Sequence, residues 1–427
     1  MSAPLPTEES AEAQRPHKQS TFSRMSFLGG AHFLGSLCGF GAMWLLAVHF
    51  GDERLGRYLN ALAWMTPAMI ITRFGTDQYA VRQEAAGKDT PEGMAATVIR
   101  LRILMSLGGF ALMLGLPYAF ERLIEIQLLL AILSLCILPI ILRVEWVGQA
   151  LHRSNLYGSM QFGIQGLNLI FVVLIILLGT ELWTVAAGRV LAEALVALFL
   201  LRWVAKNLAK PDFKSRGESI FHMARASAPI AGSRLLMGLC FGSDLLILGT
   251  VVDNASLGHY GLGLRLFLFM IALNWSYSVI LFPRIAAHAH ATDGAMSREV
   301  RRSLSIVIPF CLLAAGSLAA LAHPILTIFF GEEFEPGVNS LRILCLALVF
   351  NMVNRHLSQV LLAKSKQSAE LRIMIFGTLT HVVAKIALIP IFGIAGAALG
   401  SVSGELALML AYALAARPLL KAKPAVP

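Results

Sequence analysis

The sequence predicts an all-α integral membrane protein, with twelve transmembrane helices in two six-helix lobes around a central cavity. Three observations predict it. Of 427 residues, 57% are hydrophobic and only 14% are charged, against about 25% charged in a typical soluble domain. Apolar runs of roughly 20 residues, enough to cross ~30 Å of hydrocarbon at 1.5 Å per residue, recur along the whole chain. Finally, the two halves open alike. GFGAMWLLAVHFGDERLGRYLNALAWM (39–65) and CFGSDLLILGTVVDNASLGHYGLGLRLFLFM (240–270) each close a span with a short acidic loop and begin the next with Leu-Gly-x-Tyr. The two tetrads are Leu55-Gly56-Arg57-Tyr58 and Leu257-Gly258-His259-Tyr260.

The apolar runs place the first six spans at 28–50, 59–80, 99–120, 126–145, 156–178 and 182–202. The second six fall at 226–250, 257–281, 304–325, 339–363, 371–391 and 394–415. Residues 1–24 are polar, lack a signal-peptide pattern and read as a disordered cytoplasmic tail. The first lobe then covers 25–202 and the second 226–416. Between them lies a basic cytoplasmic linker, 203–225, whose Pro211 and Gly217 would break a helix. Residues 417–427 form a second cytoplasmic tail. Six spans per half bring both halves in from the same side, the parallel-repeat arrangement of carriers with a site between two bundles.

Orientation follows from the basic residues. Twenty-five Lys and Arg lie in or beside one set of alternate connections, and only Arg54, Arg57 and Arg122 in the other. The positive-inside rule therefore puts both termini in the cytoplasm. The net charge of +10 is explained by topology, and no basic cluster sits on a soluble domain that could present it to nucleic acid. The five cysteines, Cys38, Cys136, Cys240, Cys311 and Cys345, are dispersed through apolar segments, as small core residues rather than disulfides or metal ligands. No glycine-rich phosphate loop, metal-ligand spacing or catalytic triad is found, so neither enzyme activity nor a cofactor is expected.

Seven bases fall within spans: Arg73, Arg189, Arg234, Arg265, Arg342, Arg355 and Lys385. A charge at mid-membrane costs about 2.5–3.5 kcal/mol on insertion scales, so such groups face a bundle interior, a partner or water. Arg342 is near a helix end and can snorkel. Arg189 and Glu193, four residues apart, can pair locally. Asp77 and Glu145 lie near cytoplasmic ends, where loop arginines can meet them. Arg234 and Asp244 are ten residues apart, about 15 Å along a helix, and cannot pair with each other. Arg73, Arg234, Arg265, Arg355 and Lys385 are therefore expected to line a wet, cationic cavity, with Asp244 and Glu405 neutralising two of them. Such a cavity favours an anionic solute. Asp244, Glu193 and Glu405 are the candidates for ion coupling. His32, His323, His356 and His381 read as packing residues. Gly396, Gly400 and Gly404, like Gly35 and Gly39, leave a bare helix face for close contact.

Five stretches, in order along the twelve spans, resemble the bacterial polysaccharide (O-antigen-type) flippases of the multidrug/oligosaccharidyl-lipid/polysaccharide exporter superfamily. They are LGRYLNALAWMTPAMIITRFGTDQYAVRQEA, APIAGSRLLMGLCFGSDLLILGTVVDNASLGHYGLGLRLF, VILFPRIAAHA, ILTIFFGEEFEPGVNSLRILCLALVF with LLAKSKQ, and FGIAGAALGSVSGELALML. The likeness spans about 25–415. It implies a carrier without its own ATPase that moves undecaprenyl-diphosphate-linked sugars to the periplasmic leaflet of the inner membrane. It also implies membrane lipids and polysaccharide polymerase or assembly proteins as partners, in O-antigen or exopolysaccharide synthesis. Arg265, in YGLGLRLF, stands where that family commonly has a basic residue after the tyrosine. Two other readings stand beside it: a multidrug extrusion antiporter, and a membrane subunit of a polysaccharide assembly complex that transports nothing.

Overall fold

Why the chain turns where it does is clearest at two glycines. The computed structural model describes residues 21–85, 91–150, 155–207, 218–288 and 294–420. Helix α1 (Thr21–Arg73) reverses at Gly51, with φ 76° and ψ 177°. The last helix, α14 (Gln367–Leu420), does the same at Gly393, with φ 56° and ψ −131°. Positive φ is cheap only for glycine, so each long run is two spans joined by one residue. Between them come α2 (Thr76–Ala85), α3 (Pro91–Ala119), α4 (Gln127–Ser134), α5 (Ile137–Ile141), α6 (Glu145–Ala150), α7 (Asn155–Leu177) and α8 (Leu182–Asn207). The second half continues with α9 (Ile220–Val251), α10 (Asn254–Ala287), α11 (Ala295–Ala320), α12 (Ala322–Phe329) and α13 (Val338–Ala363).

Nine described helical segments are long and apolar enough to cross a membrane, with 220–251 adding a bent tenth. Dividing the two glycine-jointed segments gives twelve crossings, close to the expected boundaries. Helix α1 already begins at Thr21, inside the expected N-terminal tail. Helices α8 and α9 extend to Asn207 and from Ile220, which shortens the expected linker. Residues 1–20, 208–217 and 421–427 of the expected tails and linker lie outside the described residues. The large exposed side chains of the spans, such as Leu107, Phe199, Leu313 and Phe376, are the lipid-facing surface of such a bundle. All five cysteines are free.

The repeated tetrads are where the halves meet. A Cβ on Gly56 would collide with the Asn254 carbonyl oxygen, and one on Gly258 with that of Asp52. Glycine alone permits this backbone contact. Asp52 Oδ2 lies 2.8 Å from His259 Nε2, and the Asn60 amide donates to the Gly249 carbonyl at 3.2 Å. Asp253 caps α10 by accepting from the Ser256 backbone N–H and hydroxyl, both at 2.8 Å. The backbone N–H bond, first among the causes, holds its carboxyl below the usual range. At the opposite end, a Cβ on Gly75 would meet the Ala231 backbone nitrogen at 2.9 Å. The lobes thus touch at both ends, with space between.

Within the second lobe the glycine face of 394–420 has a definite use. Side chains at Gly400 and Gly404 would collide with Lys385 Cγ and His381 Cδ2 respectively. The bare face makes room for two long polar residues of the preceding span.

The fourth crossing is broken into α4, α5 and α6, and a broken helix in hydrocarbon must find partners for its freed carbonyls. Arg102 of α3 supplies them. It is fully buried and donates to the carbonyls of Ile140 at 3.3 Å and Arg143 at 2.6 Å. It also donates to Thr76 Oγ1 at 3.0 Å and Asp77 Oδ1 at 2.5 Å. Arg102 and Arg143, two of the twenty-five bases in or beside the expected cytoplasmic connections, are both buried. Arg102→Met is expected to lower stability by about 3–5 kcal/mol, because Asp77 and two carbonyls lose their donor. Arg102→Lys is expected to recover only a fraction of this, since one ammonium cannot span four acceptors. Thermal unfolding of the purified variants checks both.

Candidate functional site

Two adjoining voids lie between the lobes. The first, about 920 Å³ including its solvent-open part, is bordered by Thr66, Met69, Arg73, Asp77, Gln161, Gln165, Arg189, Glu193 and Arg234, among others. The second, about 1480 Å³ on the same measure, is bordered by Phe40, Met65, Gln165, Asn168, Arg189, Leu264 and Arg265, among others. Thr66, Met69, Gln165 and Arg189 border both, so the two form one chamber. Helices α1, α7 and α8 supply one wall, and α9 and α10 the other.

The first-lobe wall is a ladder of alternating charge. Arg102 bonds Asp77 at 2.5 Å, and Arg73 reaches Asp77 at 3.7 Å and Glu145 at 3.2 Å. Arg143 bridges Glu145 and Glu193, each at 3.2 Å, and Arg189 lies 3.5 Å from Glu193. Four arginines thus share three carboxylates. The Glu145 and Glu193 side chains are each only 2% exposed; at that depth the network avoids the large cost of an uncompensated charge.

Several expectations need correction here. Arg73, expected as a cavity base to be matched by Asp244 or Glu405 if at all, is paired instead with Asp77, at i+4, and with Glu145. Asp77 meets the buried Arg102 of α3, and Glu145 meets Arg143, which sits in the non-helical break before α6. Lys385, expected in the cationic cavity, is wholly buried and paired with Asp244. It donates to Ser243 at 3.1 Å as well, and it borders neither void. The physical reason is the glycine face, which lets its stem lie flat between two spans of one lobe. Arg355 is exposed on α13 and also borders neither void.

Arg234 and Arg265 are different. Both border the chamber, and among the described residues no carboxylate pairs with either. The Arg265 Nε–H has no hydrogen-bond partner among the described residues. The ladder's one surplus positive charge and these two give the chamber a positive balance among the described residues.

Of the candidate coupling acids, Glu193 is committed to Arg143 and Arg189. Asp244 is held by Lys385, the Tyr260 hydroxyl and, at 3.2 Å, the Ser401 hydroxyl. Glu405, 1% exposed, accepts from Asn351 at 2.9 Å and Asn354 at 2.7 Å. The basic group within ion-pair reach of it, among the described residues, is His381 Nε2 at 3.8 Å. His323 stands 3.7 Å from Glu335, His356 Nδ1 is 2.7 Å from the Met352 carbonyl, and Arg342 donates to the Ala319 carbonyl at 3.3 Å. The His32 side chain lies outside the described residues. The sequence reading missed the amides Gln161, Gln165 and Asn168 of the chamber. Their spacing of four and three on an apolar helix was the available signal.

The family model described as "Polysaccharide biosynthesis protein" matches residues 23–289, and MatE matches residues 229–386. No curated protein matches the sequence. Among solved structures, the chain is similar to the lipid II flippase MurJ in an inward closed conformation. The TM-score is 0.78 at 16% identity, covering 91% of this chain and 87% of that one. It is also similar to an inward-facing multidrug resistance MATE family transporter, with TM-score 0.74 and 14% identity over 90% and 94%. A third is the Vibrio cholerae MATE transporter VcmN in the bent form, with TM-score 0.58 and 18% identity over 93% and 96%. At such identities these structures establish the shared fold alone. By the match over most of its length, the chain belongs to the polysaccharide biosynthesis protein family.

Proposed function

We propose that the protein is an alternating-access carrier for undecaprenyl-diphosphate-linked oligosaccharide. It would move this lipid from the cytoplasmic to the periplasmic leaflet of the bacterial inner membrane, with both termini cytoplasmic. The observation that carries this reading is the pair Arg234 and Arg265, two guanidinium groups bordering the chamber with no carboxylate partner among the described residues. Arginine binds phosphoryl oxygens through a planar fork of donors, and away from bulk water that contact strengthens. The diphosphate would rest between these two residues, with Arg73 and Arg189 adding field from the ladder. Lys385 and Arg355 take no part in holding the headgroup. The polar wall of the chamber would receive the sugars, and the lipid tail would stay in the bilayer.

A second reading, extrusion of organic cations, draws on the MatE match over 229–386 and on the fold shared with multidrug carriers. The surplus of positive charge in the chamber opposes it. Dye efflux by cells carrying the protein, with no movement of lipid-linked sugar in vesicles, would reverse the preference. Absence of both activities from well-folded protein would favour an assembly subunit.

In reconstituted vesicles, Arg234→Ala and Arg265→Ala are each expected to cut the flipping rate of labelled lipid-linked oligosaccharide at least tenfold, roughly the effect of losing one charge-assisted contact. Arg355→Ala, off the chamber, is expected to transport at the wild-type rate. Equal rates in all three at equal protein level would remove the headgroup assignment.

Ion coupling, as part of the same proposal, rests with Glu405, whose carboxylate has no Lys or Arg partner among the described residues. Glu405→Gln is expected to make transport indifferent to an imposed proton or sodium gradient. Wild-type protein that ignores both gradients would end this proposal.

A further inference from the structure

Helix α7 crosses the chamber with Gln161, Gln165 and Asn168 on one side. Steps of four and three residues keep side chains on a single helix face. Gln161 borders the first void, Asn168 the second, and Gln165 both. These amides therefore form a stripe running the length of the chamber, beside the arginines but not bonded to them. Asn168 is 5% exposed, and its Oδ1 accepts no hydrogen bond from other described residues. A buried acceptor left unmatched is unfavourable, and a bound donor would relieve it. The Gln161 and Gln165 amides make no hydrogen bond to other described residues. On α1, Gly39 borders the second void and leaves room for the Gln165 amide beside it, while Gly35 lies against the Phe162 backbone.

We infer that this stripe is a saccharide-binding wall, which reads the sugars of the cargo while the arginines hold its charge. The inference rests on the proposed function. A side-chain amide offers two N–H donors and a carbonyl acceptor, the complement of a sugar hydroxyl, which both donates and accepts. It carries no net charge, so a bond it makes to a phosphoryl oxygen lacks the charge assistance that an arginine supplies. Arginines in the chamber would hold any lipid diphosphate alike. Selection between a bare and a glycosylated lipid then has to come from neutral groups, and a site built to hydrogen-bond hydroxyls discriminates against ligands that lack them.

The test compares two lipids on one protein. Purified wild type and the Gln161→Met/Gln165→Met variant, which keeps side-chain volume, are titrated with polyprenyl diphosphate and with polyprenyl diphosphate carrying an oligosaccharide. Binding is read by native mass spectrometry. Unchanged thermal unfolding of the variant establishes that it folds. The expected result is an affinity for the glycosylated lipid lower by about tenfold, the size of two lost hydrogen bonds, with affinity for the bare lipid unchanged. Arg234→Ala is expected to weaken both lipids together. If the amide variant binds the glycosylated lipid as wild type does, or loses both lipids equally, the saccharide wall is overturned and the diphosphate site survives. Wild type that binds neither lipid overturns the proposed function along with it.

Discussion

A guanidinium group inside a bilayer must be met by a carboxylate, by backbone carbonyls or by water, because hydrocarbon offers no solvation. The first lobe meets this constraint with a ladder in which Arg102, Arg73, Arg143 and Arg189 alternate with Asp77, Glu145 and Glu193. The rest of the architecture depends on it. Arg102 caps the broken fourth crossing, Glu145 and Arg143 sit at that break, and Glu193 draws α8 toward it. Three acids are consumed in holding the lobe together. Among the described residues of the chamber none remains to neutralise Arg234 and Arg265 on the facing wall, and the charge of the chamber follows from that deficit. The second lobe solves the same problem differently, burying Lys385 and Asp244 as a pair against a strip of glycines.

The internal repeat acquires a physical meaning in three dimensions. Gly56 and Gly258, equivalent positions in the two halves, sit against each other's loops with no room for a side chain. The polar bonds of Asp52 with His259 and Asn60 with Gly249 flank apolar packing across the same seam, where Gly261 makes room for Leu59 and Phe40 meets Phe269 and Phe330.

Span positions were legible because a 20-residue apolar run has few alternatives in a membrane. Gly51 and Gly393 also fell at expected connections, although the chain turns there in a single residue. Legibility ended where partners are distant in sequence. Asp77 is four residues from Arg73 and could have been paired with it on spacing alone. Glu145, 72 residues away, could not, nor could the bond of Arg143 to Glu193 across 50 residues. Lys385 looked like a cavity residue because its partner Asp244 lies in another span and its burial depends on glycines of a third. The amides of α7 escaped notice for a different reason. Neutral polar residues leave no mark on a charge count, and on an apolar helix they resemble ordinary packing.

The central claim is that Arg234 and Arg265 form an anion seat inside the chamber. The most direct measurement is an experimental structure of the protein with polyprenyl diphosphate bound. Phosphoryl oxygens are expected at hydrogen-bonding distance, about 2.7–2.9 Å, from both guanidinium groups. A diphosphate bound elsewhere, or both arginines paired with carboxylates in a closed chamber, would contradict it.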